Sequence, residues 1–323
     1  MYLHPAIAAL RSDPISQRRT KAAMADTLAD WHNGRDIAAI AEELSRYAAG
    51  DCLSQLSALR ALVSDLGEAQ RFLNAFTEHF MDALEREPLG EIPFRHGGND
   101  GFFRMQILQR GGGVLSLMVY EPIERSQEPQ AALFADCTTH EIVVAGSARG
   151  VCHDIIETRP GSAAITSKAV RWSTGDIIAQ TAQRQSRQIV EVSQSLVVLQ
   201  LSRAPVQPLP TREYRLCDGA LIHSVSGDKR ASEKIMALCV LGAMGEARAL
   251  PVLSDTALNR SHDPDLRWEA VRQSIALDAA AGMALLKVLE ERGNDPLSGP
   301  AGELRDQLCR AHPGLQNLTG KAA

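Results

Sequence analysis

The stretch that decides the fold is "TTHEIVVAGSARGVCHD", residues 138–154. It reads as two short strands around a tight turn held by Gly146 and Gly150. It also carries two histidines, a glutamate and a cysteine. The question it raises is whether these residues form a metal site or the remains of one.

On both sides of this stretch the chain keeps a period of two. "FFRMQIL" (102–108) sets Phe103, Met105 and Ile107 against Arg104 and Gln106. "GGGVLSLMVY" (111–120) follows after a glycine turn, which is a hairpin signal. Further strands are expected at 140–146, 150–157, 165–171, 176–180, 188–192 and 195–201. Many short strands with no long helix between them imply an antiparallel sandwich or barrel. "SRAPVQPLPTREY" (202–214) is proline-rich and should leave the barrel.

The flanks are helical. Ile37, Ile40, Leu44 and Tyr47 recur at helical spacing, with Gly50 as a C-cap. Leu53, Leu56, Leu59, Val63 and Leu66 make a second stripe. Phe72, Phe76, Phe80 and Leu84 make a third, ended by Pro88. The helical period returns from about 229. "DPDLRWEAVRQSIALD" (263–278) opens with Asp263 as N-cap and Pro264 at the first helical position. A second Asp-Pro, Asp295-Pro296, follows 32 residues later, and Leu250, Val252 and Leu253 return as Met283, Leu285 and Leu286. Two markers at nearly one period suggest a helical-pair repeat. The expected fold class is therefore α+β. N-terminal helices (1–90) pack on a central antiparallel β-barrel (91–227), and a helical domain (228–323) follows.

Composition narrows the function classes. The chain has 323 residues, 45% apolar, and a net charge of −5. That balance offers no global attraction to nucleic acid or to an anionic membrane. No window approaches 18 consecutive apolar residues, so no transmembrane helix is expected. The start, "MYLHPAIAALRSDP", lacks a basic n-region and an apolar core of secretory length, so a cytoplasmic location is expected. The six cysteines lack CxxC spacing and read as small apolar residues rather than zinc ligands or a disulfide framework.

The order of signals between 92 and 203 resembles the cupin superfamily, in particular its cysteine-dioxygenase-like branch. "HEIVVAGSARG" (140–150) is similar to the first cupin motif. "RWSTGDIIAQ" (171–180) is similar to the entry of the second, and "VVLQLS" (197–202) to the closing strand. "HDPDLRWEAVR" resembles a HEAT-type repeat, although the period is short. The cupin resemblance implies a small barrel and, where histidines stand in the motifs, a divalent metal. Here the pattern is broken. The i, i+2 pairs Phe134/Asp136, Asp136/Thr138 and Thr138/His140 include no His-x-His, and Glu141 points away from His140. "TAQRQSRQIVEV" (181–192) holds no histidine, and Ser186 or Gln188 stands where the ligand would be.

Other ligand sets are weaker. In a hairpin centred on Ala148, residue 143 faces 153 and 144 faces 152. His140 and Cys152 then share a face but lie about 13 Å apart, too far for one ion. A one-residue slip would reverse the faces. If a metal binds (Fe, Zn, Ni or Mn), His140 and Asp136 are its candidates, with His96 or His223 added from a distance. "RHGGNDGFF" (95–103) lacks the lysine and following helix of a phosphate loop. Arg184, Arg187 and the glutamines around them could line the barrel and hold a polar or anionic ligand.

The expectation is a non-enzymatic or regulatory binding protein on a degenerate cupin barrel. His140, Asp136, Arg184 and Gln188 line its interior, no catalytic residue is assigned, and no cofactor is expected. The helical tail should meet a protein partner, and the barrel could pair as a homodimer. The alternative is a metal-dependent cupin-type oxygenase with displaced ligands.

Overall fold

A computed structural model describes residues 14–99, 101–124, 129–227 and 229–317. The chain start that was read for a leader lies outside the described residues apart from its last residue, Pro14. The chain divides into two compact units. One is built from residues up to 206 with 212–223, and the other from 207–211 with 224 onward.

Among the described residues the first unit opens with four helices: α1 (Pro14–Asn33), α2 (Arg35–Ala49), α3 (Ser57–Ser64) and α4 (Leu66–Arg86). Gly50 ends α2 at φ 121°, its N–H donating to the Arg46 and Tyr47 carbonyls. That conformation is cheap only for glycine. The second apolar stripe is broken where the sequence pattern is continuous. Asp65 stops α3, and its side chain accepts from the Glu68 N–H to start α4. A local cap outcompetes a continuous stripe.

Among the described residues thirteen strands follow. β1 (His96–Asn99), β2 (Phe102–Arg110), β3 (Gly113–Tyr120), β6 (Thr138–Ala145), β9 (Ile177–Gln180) and β11 (Leu196–Arg203) make a six-stranded sheet in the order β1-β2-β3-β11-β6-β9. β4 (Ile123–Glu124), β7 (Ser147–Arg159), β8 (Ser162–Ser173) and β10 (Gln185–Val192) make a four-stranded sheet, β4-β10-β7-β8. β5 (Ala131–Phe134), β12 (Thr211–Arg215) and β13 (Leu221–Val225) make a third. Every pairing described is antiparallel, and among the described residues none joins the sheets into a closed barrel. The expected barrel is thus a layered set of sheets. The proline-rich stretch does leave the central sheets, but its end becomes β12.

The quoted stretch is not a hairpin. β6 pairs with β11 and β9, whereas β7 pairs with β8 and β10. Gly146, at φ 86°, carries the chain from one sheet to the other. Gly175, at φ 94°, carries it back between β8 and β9. The two crossings are tied together. Gly175 N–H donates to Val143 O (2.8 Å), Val143 N–H to Asp176 O (2.9 Å), and Thr174 Oγ1 to Gly146 O (3.2 Å). Gly150 has a different role from the one expected. It lies inside β7, where an added Cβ would meet Gln188 O and the Trp172 ring, each at 2.3 Å.

Three apolar layers hold this unit. Leu44, Tyr47, Leu59, Phe72 and Phe76 of the helices pack on Leu115, Ile142, Val144, Leu199 and Leu201 of the six-stranded sheet. Val143, Val198, Trp172, Ile178 and Ile189 pack between the two larger sheets. Phe134, Ile155, Ala163 and Tyr214 pack under the third. Each such large apolar side chain contributes roughly 1.5–3 kcal/mol on burial.

The second unit holds α5 (Lys229–Ala243), α6 (Leu250–Leu258), α7 (Pro264–Leu277), α8 (Ala279–Glu290) and α9 (Ser298–Ala311). Asp263 caps α7 as expected, accepting from the Asp265 N–H. Leu253, Leu266, Val271, Met283, Leu286 and Leu289 form its core. Arg267 is buried there, donating to Ala257 O and to Asp295 Oδ2 at 2.8 and 2.6 Å. The markers Asp263-Pro264 and Asp295-Pro296 are therefore not equivalent. The first caps a helix, and the second anchors a buried arginine.

Candidate functional site

Alternation along β6 puts His140, Ile142 and Val144 on one face and Thr139, Glu141 and Val143 on the other. The His140 face meets the N-terminal helices, where its ring lies edge-on to Tyr47 at 6.4 Å. The Glu141 face looks into the space between the sheets. The expected assignment is inverted: His140 is outside that space, and Glu141 is inside it.

The same inversion holds on β10. Ser186 pairs laterally with His153, and Arg187 with Cys152. Gln188 faces away from the inter-sheet space, its Nε2 donating to Ala131 O and its Oε1 meeting His153 Nε2. Arg187, between these two, points inward. Arg184 precedes β10 and reaches Ile155 O at 3.4 Å, at an open pocket shared with Asp154, Thr166, Thr181 and Gln185. Asp136 sits in the loop between β5 and β6, half-buried. The four expected site residues therefore do not converge. His96 and His223 are exposed on β1 and β13.

What converges instead is a buried polar network. Glu141 Oε2 lies 2.6 Å from Arg187 Nη2, with the side chains 0% and 8% exposed. Gln200 Nε2 donates to Glu141 Oε1 at 2.6 Å. The Arg187 guanidinium also lies 5.8 Å from the centre of the Trp172 ring. Tyr120 interacts with Arg187 and packs on Phe102 at 4.8 Å. Burial alone would lower the Arg187 pKa, but the Glu141 charge and the Tyr120 oxygen outweigh it and raise it. Burial raises the Tyr120 phenol against the pull of Arg187. Arg187 Nε and Glu141 Oε2 have no aligned hydrogen-bond partner among the described residues.

The network reaches a small opening. Ser116 lies beside Gln200 on β11 and accepts from Arg104 Nε and Nη2 at 3.2 and 3.1 Å. Arg104, Phe102, Gln106, Arg95, His96 and Gly97 line a pocket of 230 Å³. Two guanidinium groups and an aromatic face at one mouth suit a small anion.

The donor set does not fit a resident divalent metal. The one carboxylate on this inner face of β6 is already paired with a buried cation. His140 lies on the other face, its imidazole pKa lowered by burial and then by the Arg203 charge. Among the described residues no group of three or more His, Cys, Asp or Glu is placed to hold a metal ion. The pairing residues were visible in the sequence, Glu141 beside His140 and Arg187 between Ser186 and Gln188. No signal marked which parity faced inward.

No family model matches the chain, and no curated protein matches it. Its neighbours among solved structures are mostly cupin-fold proteins. The capsular polysaccharide assembling protein CapF from Staphylococcus aureus is 9% identical, over 42% of this chain and 35% of that one, with a TM-score of 0.27. A cupin-superfamily sugar phosphate isomerase from Silicibacter pomeroyi is 12% identical over 36% and 66%, with a TM-score of 0.25. The Drosophila melanogaster CENP-C cupin domain is 14% identical over 33% and 74%, with a TM-score of 0.26. The matched part thus spans about a third of CapF and about two thirds of the isomerase. In the described residues no helix is long and apolar enough to cross a membrane.

Proposed function

We propose that this chain is a regulatory binding protein for a small anionic molecule, built on a cupin-like β-unit whose inter-sheet interior is non-enzymatic and without a metal centre. The observation that carries this reading is the buried Glu141–Arg187 pair, which stands between the sheets where a metal-binding cupin would keep its ligands. The ligand site is the pocket of Arg95 and Arg104. Its 230 Å³ is below the roughly 300 Å³ of ordinary ligand pockets, so a compact carboxylate or phosphate is the class it suits. Arg104 is held by Ser116 Oγ, whose lateral neighbour across the sheet is Gln200, the residue that donates to Glu141.

A specific observation favours a protein partner for the second unit. Met236, Val240 and Met244 follow one another at helical spacing on and just past α5, 69%, 57% and 71% exposed. A HEAT-like tail would present such a row to a partner helix.

The test is thermal unfolding with a panel of small carboxylates and phosphates, on the native chain and on Arg104→Gln. A ligand that binds the folded state raises Tm. At least one anion should do so for the native chain and not for the variant. No rise with any anion, or an equal rise in both proteins, overturns the reading.

A further inference from the structure

We propose that Ser167 is an activated nucleophile toward acyl esters, with His153 as its general base and Gln188 as the residue that positions His153. These three lie outside the interior network, on the outer face of the four-stranded sheet. Ser167 Oγ is 2.8 Å from His153 Nδ1, and His153 Nε2 is 3.0 Å from Gln188 Oε1. His153 is 1% exposed, whereas Ser167 is exposed to solvent.

The direction of each bond follows from donor and acceptor chemistry. The Ala131 carbonyl can only accept, so the Gln188 amide must turn its Nε2 toward it, at 2.9 Å. Gln188 Oε1 then faces His153 and can only accept, which requires a proton on Nε2. A neutral imidazole with Nε2 protonated keeps a lone pair on Nδ1. That lone pair points at the Ser167 hydroxyl and receives its proton. Burial lowers the His153 pKa and keeps the ring neutral near pH 7. A nucleophile, a base in reach and a third group fixing the tautomer are the three elements of such a relay. Sequence order hides it, because the members come from β8, β7 and β10.

The step balances within the named groups. Ser167 Oγ attacks the ester carbonyl carbon and forms an Oγ–acyl bond. The bond to the leaving alkoxide or aryloxide breaks. The hydroxyl proton passes to His153 Nδ1 and from there to the leaving oxygen. Water, by the reverse path, releases the acid and restores Ser167.

The native full-length protein is treated with a fluorophosphonate probe and with an aryl acetate, and adducts are located by peptide mass spectrometry. The expected result is one adduct, on Ser167, absent from Ser167→Ala and from the urea-unfolded chain. Gln188→Leu should slow labelling at least tenfold, and Gln188→Glu should retain it. Ring ¹⁵N shifts should show His153 protonated at Nε2. No adduct in the native protein, an adduct spread over several serines, an unchanged rate in Gln188→Leu, or a proton on Nδ1 would each overturn the proposal.

Discussion

Glu141 and Arg187 meet at 2.6 Å between two sheets, on strands β6 and β10 that do not pair with each other. Two opposite charges with almost no solvent are costly to desolvate, and their attraction offsets that cost only while both are present. Removing one partner leaves an uncompensated buried charge. Glu141→Gln or Arg187→Met should each destabilise the first unit by about 3–5 kcal/mol, read from urea unfolding. The double variant Glu141→Leu with Arg187→Met should recover most of that loss. Single variants that unfold like the native chain would show the pair to be solvated.

Gly150 offers a second, purely steric test. A methyl group there meets backbone and an aromatic ring, neither of which can give way easily. Gly150→Ala should cost at least about 2 kcal/mol, within the range of overpacked cores. Gly161→Ala is the comparison. It has φ 72° but nothing within 4 Å of the added carbon, so only backbone strain of about 1–2 kcal/mol applies. Equal losses at the two sites would contradict the packing described for Trp172.

The second unit carries its own titration. The Arg267 hydrogen bond is the largest influence holding the Asp295 carboxyl below its usual 3.8, with help from the Leu297 N–H. A carboxyl depressed in the folded state binds its proton more readily when unfolded. The stability it contributes is therefore complete above the ordinary carboxylate range, and is lost as pH falls below 3.8 toward the lower folded-state value. Acid unfolding followed on α7 should steepen below that point. Asp295→Asn should flatten it and lower stability at neutral pH. A variant with the native acid profile would refute the assignment.

Thiol reactivity should separate four of the six cysteines by environment. Cys137 and Cys152 have thiol pKa values raised by burial, which disfavours the reactive thiolate. Cys52 and Cys217 are exposed. Iodoacetamide at pH 8 should modify Cys52 and Cys217 first, with Cys137 and Cys152 following only on unfolding. Rapid modification of Cys152 in the native chain would mean that the inter-sheet space is open.

Much of the layout was legible from periodicity. The stripes through Leu44 and Phe76 marked helices because only one side of each is buried. "FFRMQIL" and "GGGVLSLMVY" marked a hairpin because glycine separates two alternating runs, and β2 and β3 do pair. Facing was not legible. Ile142, Val143 and Val144 are all buried, since β6 has helices on one side and a sheet on the other. Without a polar side, alternation gives no parity, and His140 and Glu141 are interchangeable on paper. On β10 the register shifts between Ile189 and Glu191, which hides the phase of Arg187. The third sheet was missed because β5 and β12 pair residues about 80 positions apart, 131–134 with 212–215. Nothing local announces such a partner. The motif glycines read as holding a turn, whereas Gly146 is a crossing between sheets and Gly150 a site of close packing.

The measurement that bears most directly on the central claim is the metal content of the protein purified from rich medium, native and Glu141→Gln, by inductively coupled plasma mass spectrometry. An interior closed by Glu141 and Arg187 predicts far less than one equivalent of iron, zinc, nickel or manganese in both, and no change of Tm with chelator. A stoichiometric metal in the native chain that is lost in Glu141→Gln would contradict it, because the carboxylate would then belong to an ion and not to Arg187.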